Sequence, residues 1–169
     1  MYMLIPSTDK LLHRPAKPVS EEQFANYKNT LQPFASMLIA EIYDKSALGV
    51  SAVQCGVDLA MFAMVVDDQP KICINPEIVA ASFEMVAGNE GCLSFPGMLL
   101  QVTRPAGVVA RYKTIEGQEV TERLEGLAAR VWLHEYDHCQ GICFTDRVSK
   151  LRLSMAKKRL EKQNKRNRQ

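Results

Sequence analysis

No apolar run in this chain approaches the roughly 20 residues that a membrane-crossing helix needs, so no membrane span is expected. The opening Met1-Tyr2-Met3-Leu4-Ile5-Pro6 lacks the charge pattern and the length of a secretory signal, which argues against export. The five cysteines are odd in number and without framework spacing, which speaks against a disulfide scaffold. A reducing cytoplasm, or an organelle, is the expected compartment. There is no internal repeat, low-complexity segment or dividing linker. One domain is therefore expected for the 169 residues, and 47% hydrophobic residues can fill one core. The single tryptophan, Trp132, reads as packing.

Histidine is also scarce, with three in all, yet two fall in Leu133-His134-Glu135-Tyr136-Asp137-His138. On a helix, positions i and i+4 share a face, so His134 and His138 can point at one metal ion. Glu135 lies beside them, placed to handle a proton on metal-bound water. A catalytic centre wants a third protein ligand. In the metzincin pattern a third His would stand where this chain has Phe144, so that reading fails. A thermolysin-like reading needs a downstream Glu. Glu161 is roughly placed for it, but lies inside the basic run Lys157-Lys158-Arg159-Leu160-Glu161-Lys162. His13 stands near the N-terminus with no second ligand beside it in sequence. Cys92, on the turn Glu90-Gly91-Cys92-Leu93-Ser94-Phe95-Pro96-Gly97, remains. A thiolate there and two imidazoles would leave a fourth position open for water. The other cysteines, Cys55, Cys73, Cys139 and Cys143, read as small core residues. A supplementary metal site at Cys139 and Cys143 is the weaker reading.

Apolar spacing predicts a first helix over Gln23–Lys45, with Pro33 kinking it or marking its true first turn. Leu59–Val66 and Lys71–Ile74 read as a hairpin around Asp67-Asp68-Gln69-Pro70. Further strands are expected at Ile78–Phe83, Leu100–Tyr112 and Glu119–Leu124. A helix over Leu127–Cys139 would carry Leu127, Val131, His134 and His138 on one face and be capped by Gly141. The expected class is α+β, with antiparallel strands packed around a central metal-binding helix and helices at both ends.

Charge is divided unevenly. Residues 150–169 hold nine Lys or Arg and one Glu, a net of +8, whereas residues 1–149 hold twelve basic and eighteen acidic residues, a net of −6. The expected organisation is a single catalytic domain over 1–149, with 150–169 a basic helix or tail. That tail is either a solvated face or an electrostatic dock for RNA.

Three ordered blocks resemble the peptide deformylase family: Ala47-Leu48-Gly49-Val50-Ser51-Ala52-Val53-Gln54, Glu90-Gly91-Cys92-Leu93-Ser94, and His134-Glu135-Tyr136-Asp137-His138-Cys139-Gln140-Gly141. The flanking Ala16-Lys17-Pro18-Val19 and Ile74-Asn75-Pro76-Glu77 fit as well. Four positions depart from the family pattern. Ala47 replaces a Gly, Ser51 an Ala and Leu133 a Gln, and Leu99 stands where many members carry a substrate-holding Arg.

The resemblance implies removal of the N-formyl group from the initiator methionine of new polypeptides. It implies one divalent ion on Cys92, His134 and His138, with bound water as nucleophile and Glu135 as general base and then acid. Ferrous iron is the expected physiological ion, with zinc and nickel accepted by the same ligands. The Gln54 amide and the Leu93 backbone N–H would stabilise the developing oxyanion. Leu48, Gly49 and Gly91 would pair with the peptide backbone, and Leu127 and Val131 would line the methionine pocket. Glu90 would border the substrate site and orient its neighbours, while Asp137 anchors the helix. The implied partners are N-formylmethionyl peptides and, through the basic tail, the ribosome. Removal of 150–169 is then expected to spare small-peptide hydrolysis. No membrane or specific DNA partner is expected. Two other readings are a divergent relative that binds metal or peptide without ordinary deformylation, and, more remotely, a zinc peptidase.

Overall fold

The computed structural model of the chain describes residues 4–66 and 69–166. The expected first helix is three pieces: α1 (Glu21–Ala25), α2 (Tyr27–Thr30) and α3 (Gln32–Lys45). Ser20 and Gln23 form a reciprocal cap on α1, each side chain accepting from the other's backbone N–H. The break before α3 follows from Pro33 in its first turn, because the ring removes a donor and clashes with the carbonyl a turn earlier. The continuous Gln23–Lys45 helix is thus corrected to a segmented one. α3 ends at Ser46 in the left-handed conformation (φ 50°), with Ala47 N–H on the Ile42 carbonyl at 2.9 Å. That cap turns the chain into the Leu48-Gly49 segment.

One antiparallel sheet holds β1 (Gly49–Ser51), β2 (Met61–Val66), β3 (Gln69–Ala81), β6 (Gly107–Lys113) and β7 (Glu119–Glu125), in the order β1-β2-β3-β6-β7. A smaller sheet pairs β4 (Met85–Glu90) with β5 (Leu100–Pro105). β2 explains the layering. Its alternate residues Met61 and Ala63 join Leu31, Leu38 and Ile42, while Phe62 and Met64 join Trp132 and Leu133. A strand buried on both faces reads as an unbroken apolar run, as this one does. On the second face sits α4 (Gly126–Cys139), where Trp132 meets Phe62 edge-on at 5.9 Å and stacks on Tyr136 at 5.2 Å.

Two expected strands need correction. Ile78–Phe83 is not separate: β3 runs through to Ala81, with its register shifted between Ile74 and Glu77, where Pro76 cannot donate to a ladder. Asn75 at this bend (φ 51°) bonds both backbone groups of Val19 at 2.8 Å, pinning the N-terminal segment. Leu100–Tyr112 divides at Ala106, so that β5 serves the small sheet and β6 the large one. β1 and β4 were not foreseen, because one is three residues long and the other is mostly exposed and lacks alternation. Of the expected hairpin turn, Asp67 and Asp68 lie outside the described residues.

After α4, Gly141 (φ 72°) caps the helix as expected, and a β-carbon there would fall 2.4 Å from the Arg14 carbonyl carbon. α5 (Lys150–Arg166) closes the chain, with Leu153, Ala156 and Leu160 packed on Met98, Leu100, Val102 and Phe144. Among the described residues, no helix is long and apolar enough to cross a membrane.

Candidate metal centre and substrate cleft

His134 and His138 stand one turn apart on α4, with ring centroids 5.1 Å apart and planes at 75°, so their edges converge. Cys92 reaches them from the loop after β4. Phe95 N–H bonds the Cys92 carbonyl at 2.9 Å and Met98 N–H the Phe95 carbonyl at 3.1 Å, two successive tight turns, the second of which needs Gly97 (φ 75°). Cys92 Sγ lies 3.3 Å from His138 Nε2, and ligand atoms of Cys92, His134 and His138 all lie within 4.8 Å of one another. One thiol and two imidazoles form a donor set that can hold a zinc- or iron-type ion with a further position open.

Behind the imidazoles runs a buried charge network. Glu90 Oε2 accepts from His134 Nδ1 at 3.0 Å, which fixes that ring and leaves Nε2 as the atom available to a metal. Arg104 grips the same carboxylate through Nε (2.7 Å) and Nη2 (2.9 Å), and Arg130 Nη1 adds a third bond at 2.7 Å. Arg104 Nη1 also donates to Asp137 Oδ2 at 2.8 Å, and Arg147 completes the surroundings of Asp137 through Nε at 3.0 Å. Burial alone would raise the Glu90 pKa, but the bonds from His134 and Arg104 pull it down to about 2. Burial disfavours a charged His134, yet the bonds to Cys92 and Glu90 outweigh it and hold a proton on the ring up to about 10. A cation bound at the ring would take that proton's place. His138, fully buried and next to a positive His134, is held well below the usual imidazole range.

Glu135 is 3% exposed, and burial pushes its carboxyl up to about 7 against the pull of His134 and Arg104. Its Oε2 is buried with no hydrogen-bond partner among the described residues. An orphaned carboxylate oxygen beside two imidazoles and a thiol is what a site built around a cation and its water requires, so the residues present fit the group. Gln54 is aimed by Ser51, whose N–H and hydroxyl both bond Oε1, at 2.8 and 3.0 Å. The Gln54 amide nitrogen is thereby turned towards Cys92 Sγ and Ser94 Oγ, each at 3.3 Å.

These groups open onto a cleft of about 690 Å³. Leu48, Gly49, Gly91, Leu93, Leu127 and Val131 line it, with Leu127 exposed at the rim and Val131 buried deeper. Glu90 borders the cleft too, but both its oxygens are engaged by Arg104, Arg130 and His134.

Sequence reasoning did not find Arg104, Arg130 or the role of Ser51. Arg104 left a signal: it shares the inward-facing parity of Leu100 and Val102 on β5, a position where an arginine must be paired. In the sequence Ser51 stands only as a departure from the family pattern. Its hydroxyl adds a second hold on Gln54.

The polypeptide deformylase family profile matches residues 1–154. A peptide deformylase of Thermotoga neapolitana is 36% identical over 160 residues, covering 95% of this chain and 94% of that protein. The crystal structure of the Thermotoga maritima peptide deformylase superposes with a TM-score of 0.82 at 35% identity, covering 88% of this chain and 98% of the other. A class I type b peptide deformylase from Acinetobacter baumannii, solved with Met-Ala-Ser bound, gives a TM-score of 0.82 at 28% identity over 88% of this chain and 100% of that one. With its three blocks in order on this fold, the chain belongs to the polypeptide deformylase family.

Proposed function

We propose that the chain hydrolyses the N-formyl group from the formylmethionine that begins new polypeptides. The observation that carries this reading is the convergence of Cys92, His134 and His138 beside a buried Glu135 with an unpartnered oxygen. The Met-Ala-Ser complex of the Acinetobacter relative supports it, since that tripeptide is what deformylation of formyl-Met-Ala-Ser leaves.

Cys92, His134 and His138 would hold a divalent ion, ferrous iron in our reading, which would supply Lewis-acid activation of the attacking water. Glu135 accepts the proton of the attacking water and passes it to the departing amine. The Gln54 amide, held by Ser51, and the Leu93 N–H donate to the formyl oxygen as it gains charge. Glu90 fixes the His134 ring, and Arg104 keeps Glu90 ionised. Leu48, Gly49 and Gly91 pair with the peptide in strand fashion, while Leu127 and Val131 receive the methionine side chain. Residues 1–149 form the catalytic domain. α5 is an appended helix whose exposed lysines and arginines dock on ribosomal RNA.

The test is an assay on formyl-Met-Ala-Ser after loading with ferrous iron or nickel. Turnover far above background is expected. Background turnover in protein with verified metal content would favour a divergent binding protein instead. Ribosome cosedimentation that survives charge reversal at Lys157, Lys158 and Lys162 would remove the docking role from α5.

A further inference from the structure

Ligand-type side chains from opposite ends of the chain meet just beyond α4. His13 ends the 3-10 turn Lys10–His13, Cys143 precedes the 3-10 turn Phe144–Arg147, and Asp146 lies within it. Ligand atoms of His13, Cys143 and Asp146 all lie within 4.8 Å of one another. Each is oriented by a neighbour that leaves an atom free. His13 Nε2 is 2.8 Å from the Ser7 carbonyl, which only accepts, so Nε2 carries the hydrogen and Nδ1 keeps its lone pair. Asp146 Oδ2 accepts the Cys143 N–H at 2.9 Å, leaving Oδ1. The Cys143 thiol is fully buried: its sulfur accepts the Asp146 backbone N–H, and its S–H makes only a long contact, 3.8 Å, to the Leu12 carbonyl.

We propose that His13, Cys143 and Asp146 form a second cation site, for a thiophilic divalent ion of the zinc type. One sulfur, one imidazole nitrogen and one carboxylate oxygen make a borderline donor set that suits zinc and disfavours calcium or magnesium. His13 and Asp146 are exposed, so water can complete a tetrahedron. On binding, the Cys143 S–H bond breaks, the sulfur bonds the ion, and the proton leaves to solvent. Burial and the nearby Asp146 push this thiol up to about 12, so the ion displaces a firmly held proton.

The ion would staple the N-terminal segment to the turn that follows the catalytic helix. These stretches already touch through the Ala16 N–H on the Cys139 carbonyl at 2.9 Å and through Gly141 against the Arg14 backbone. The site was hidden in the sequence because His13 stands alone there, and only the fold supplies its partners.

The test is zinc content of the full chain after dialysis against zinc and removal of the free ion. About two ions per chain are expected for the natural protein and about one for His13→Ala and for Cys143→Ala. Formyl-peptide hydrolysis should be unchanged in His13→Ala, whose exposed side chain can be removed without disturbing the core. With cobalt in place of zinc, the thiolate-to-cobalt absorption should fall by roughly half in Cys143→Ala, because Cys92 still contributes. One ion in the natural protein, or two retained in either variant, would overturn the proposal. Because zinc content is read independently of turnover, failure here leaves the deformylase reading standing.

Discussion

Gly49 and Glu135 are in contact across the cleft floor: a β-carbon on Gly49 would lie 2.6 Å from Glu135 Oε1 and 2.8 Å from its Cγ. Glycine at this place is demanded by the carboxylate rather than by backbone conformation. Gly49→Ala should therefore push the Glu135 side chain aside while leaving Cys92, His134 and His138 in place. The expected result is a kcat lower by roughly 10- to 100-fold with metal content unchanged. An unaltered kcat would show that Glu135 does not have to sit where it does.

Glu135→Gln should retain the metal and lose turnover by at least about 100-fold. Metal analysis returning empty protein would make Glu135 structural instead. The natural carboxyl, pushed up to about 7, is protonated and useless as a base at lower pH. A bound cation pulls it down from there. The rate should thus rise with pH along a limb ending at or below about 7, and the residual rate of Glu135→Gln should lack that limb. Rate–pH profiles of the two proteins provide the check.

The metal half of the site was legible because its signal is local. His134, Glu135 and His138 are set by helical periodicity, and α4 appears where apolar spacing places it. The elements misjudged were those whose form depends on partners distant in sequence. β3 continues through Pro76 because β6 pairs with it on the far side of the bulge, and no residue near Pro76 announces that. Arg104 looks like an ordinary strand arginine until β5 brings it between Glu90 and Asp137. Ser51 gives no signal in the sequence beyond a departure from the family pattern, since its hydroxyl matters only once Gln54 folds back onto it.

The Glu90–Arg104 pair gives a stability prediction. Both side chains are 4% exposed, and replacing Glu90 with Gln leaves two arginines facing a neutral amide. Removing one partner of such a buried pair typically costs about 3–5 kcal/mol, so Glu90→Gln should lower the melting temperature strongly. The folded pKa of Glu90 lies below its ordinary value of 4.5, at about 2, so its contribution is present above 4.5 and disappears as pH falls towards 2. The natural protein should lose stability steeply across that window, and Glu90→Gln should show a shallower slope there. Parallel slopes in acid unfolding would mean that Glu90 is not held ionised by the fold.

Deleting residues 150–169 separates two roles of α5 that the sequence merges. From charge alone, the segment is dispensable for small peptides. In the fold, Leu153, Ala156 and Leu160 cover the cluster that also contains Cys92 and Phe95. Leu160 Cδ1 stands 3.0 Å from where a β-carbon on Gly97 would be, and Gln163 lines the cleft. Losing this apolar cover should cost about 2–4 kcal/mol, at the usual return for burying two leucines and an alanine. It should also loosen the turn that aims Cys92. The deletion is accordingly expected to lower the melting temperature and raise KM for formyl-Met-Ala-Ser several-fold. Charge reversal at Lys157, Lys158 and Lys162, all exposed, should leave both quantities alone and weaken only ribosome association. Should the truncated enzyme keep its KM and melting temperature, the packing of α5 on the Cys92 loop contributes nothing to the site, and its charge is its only contribution.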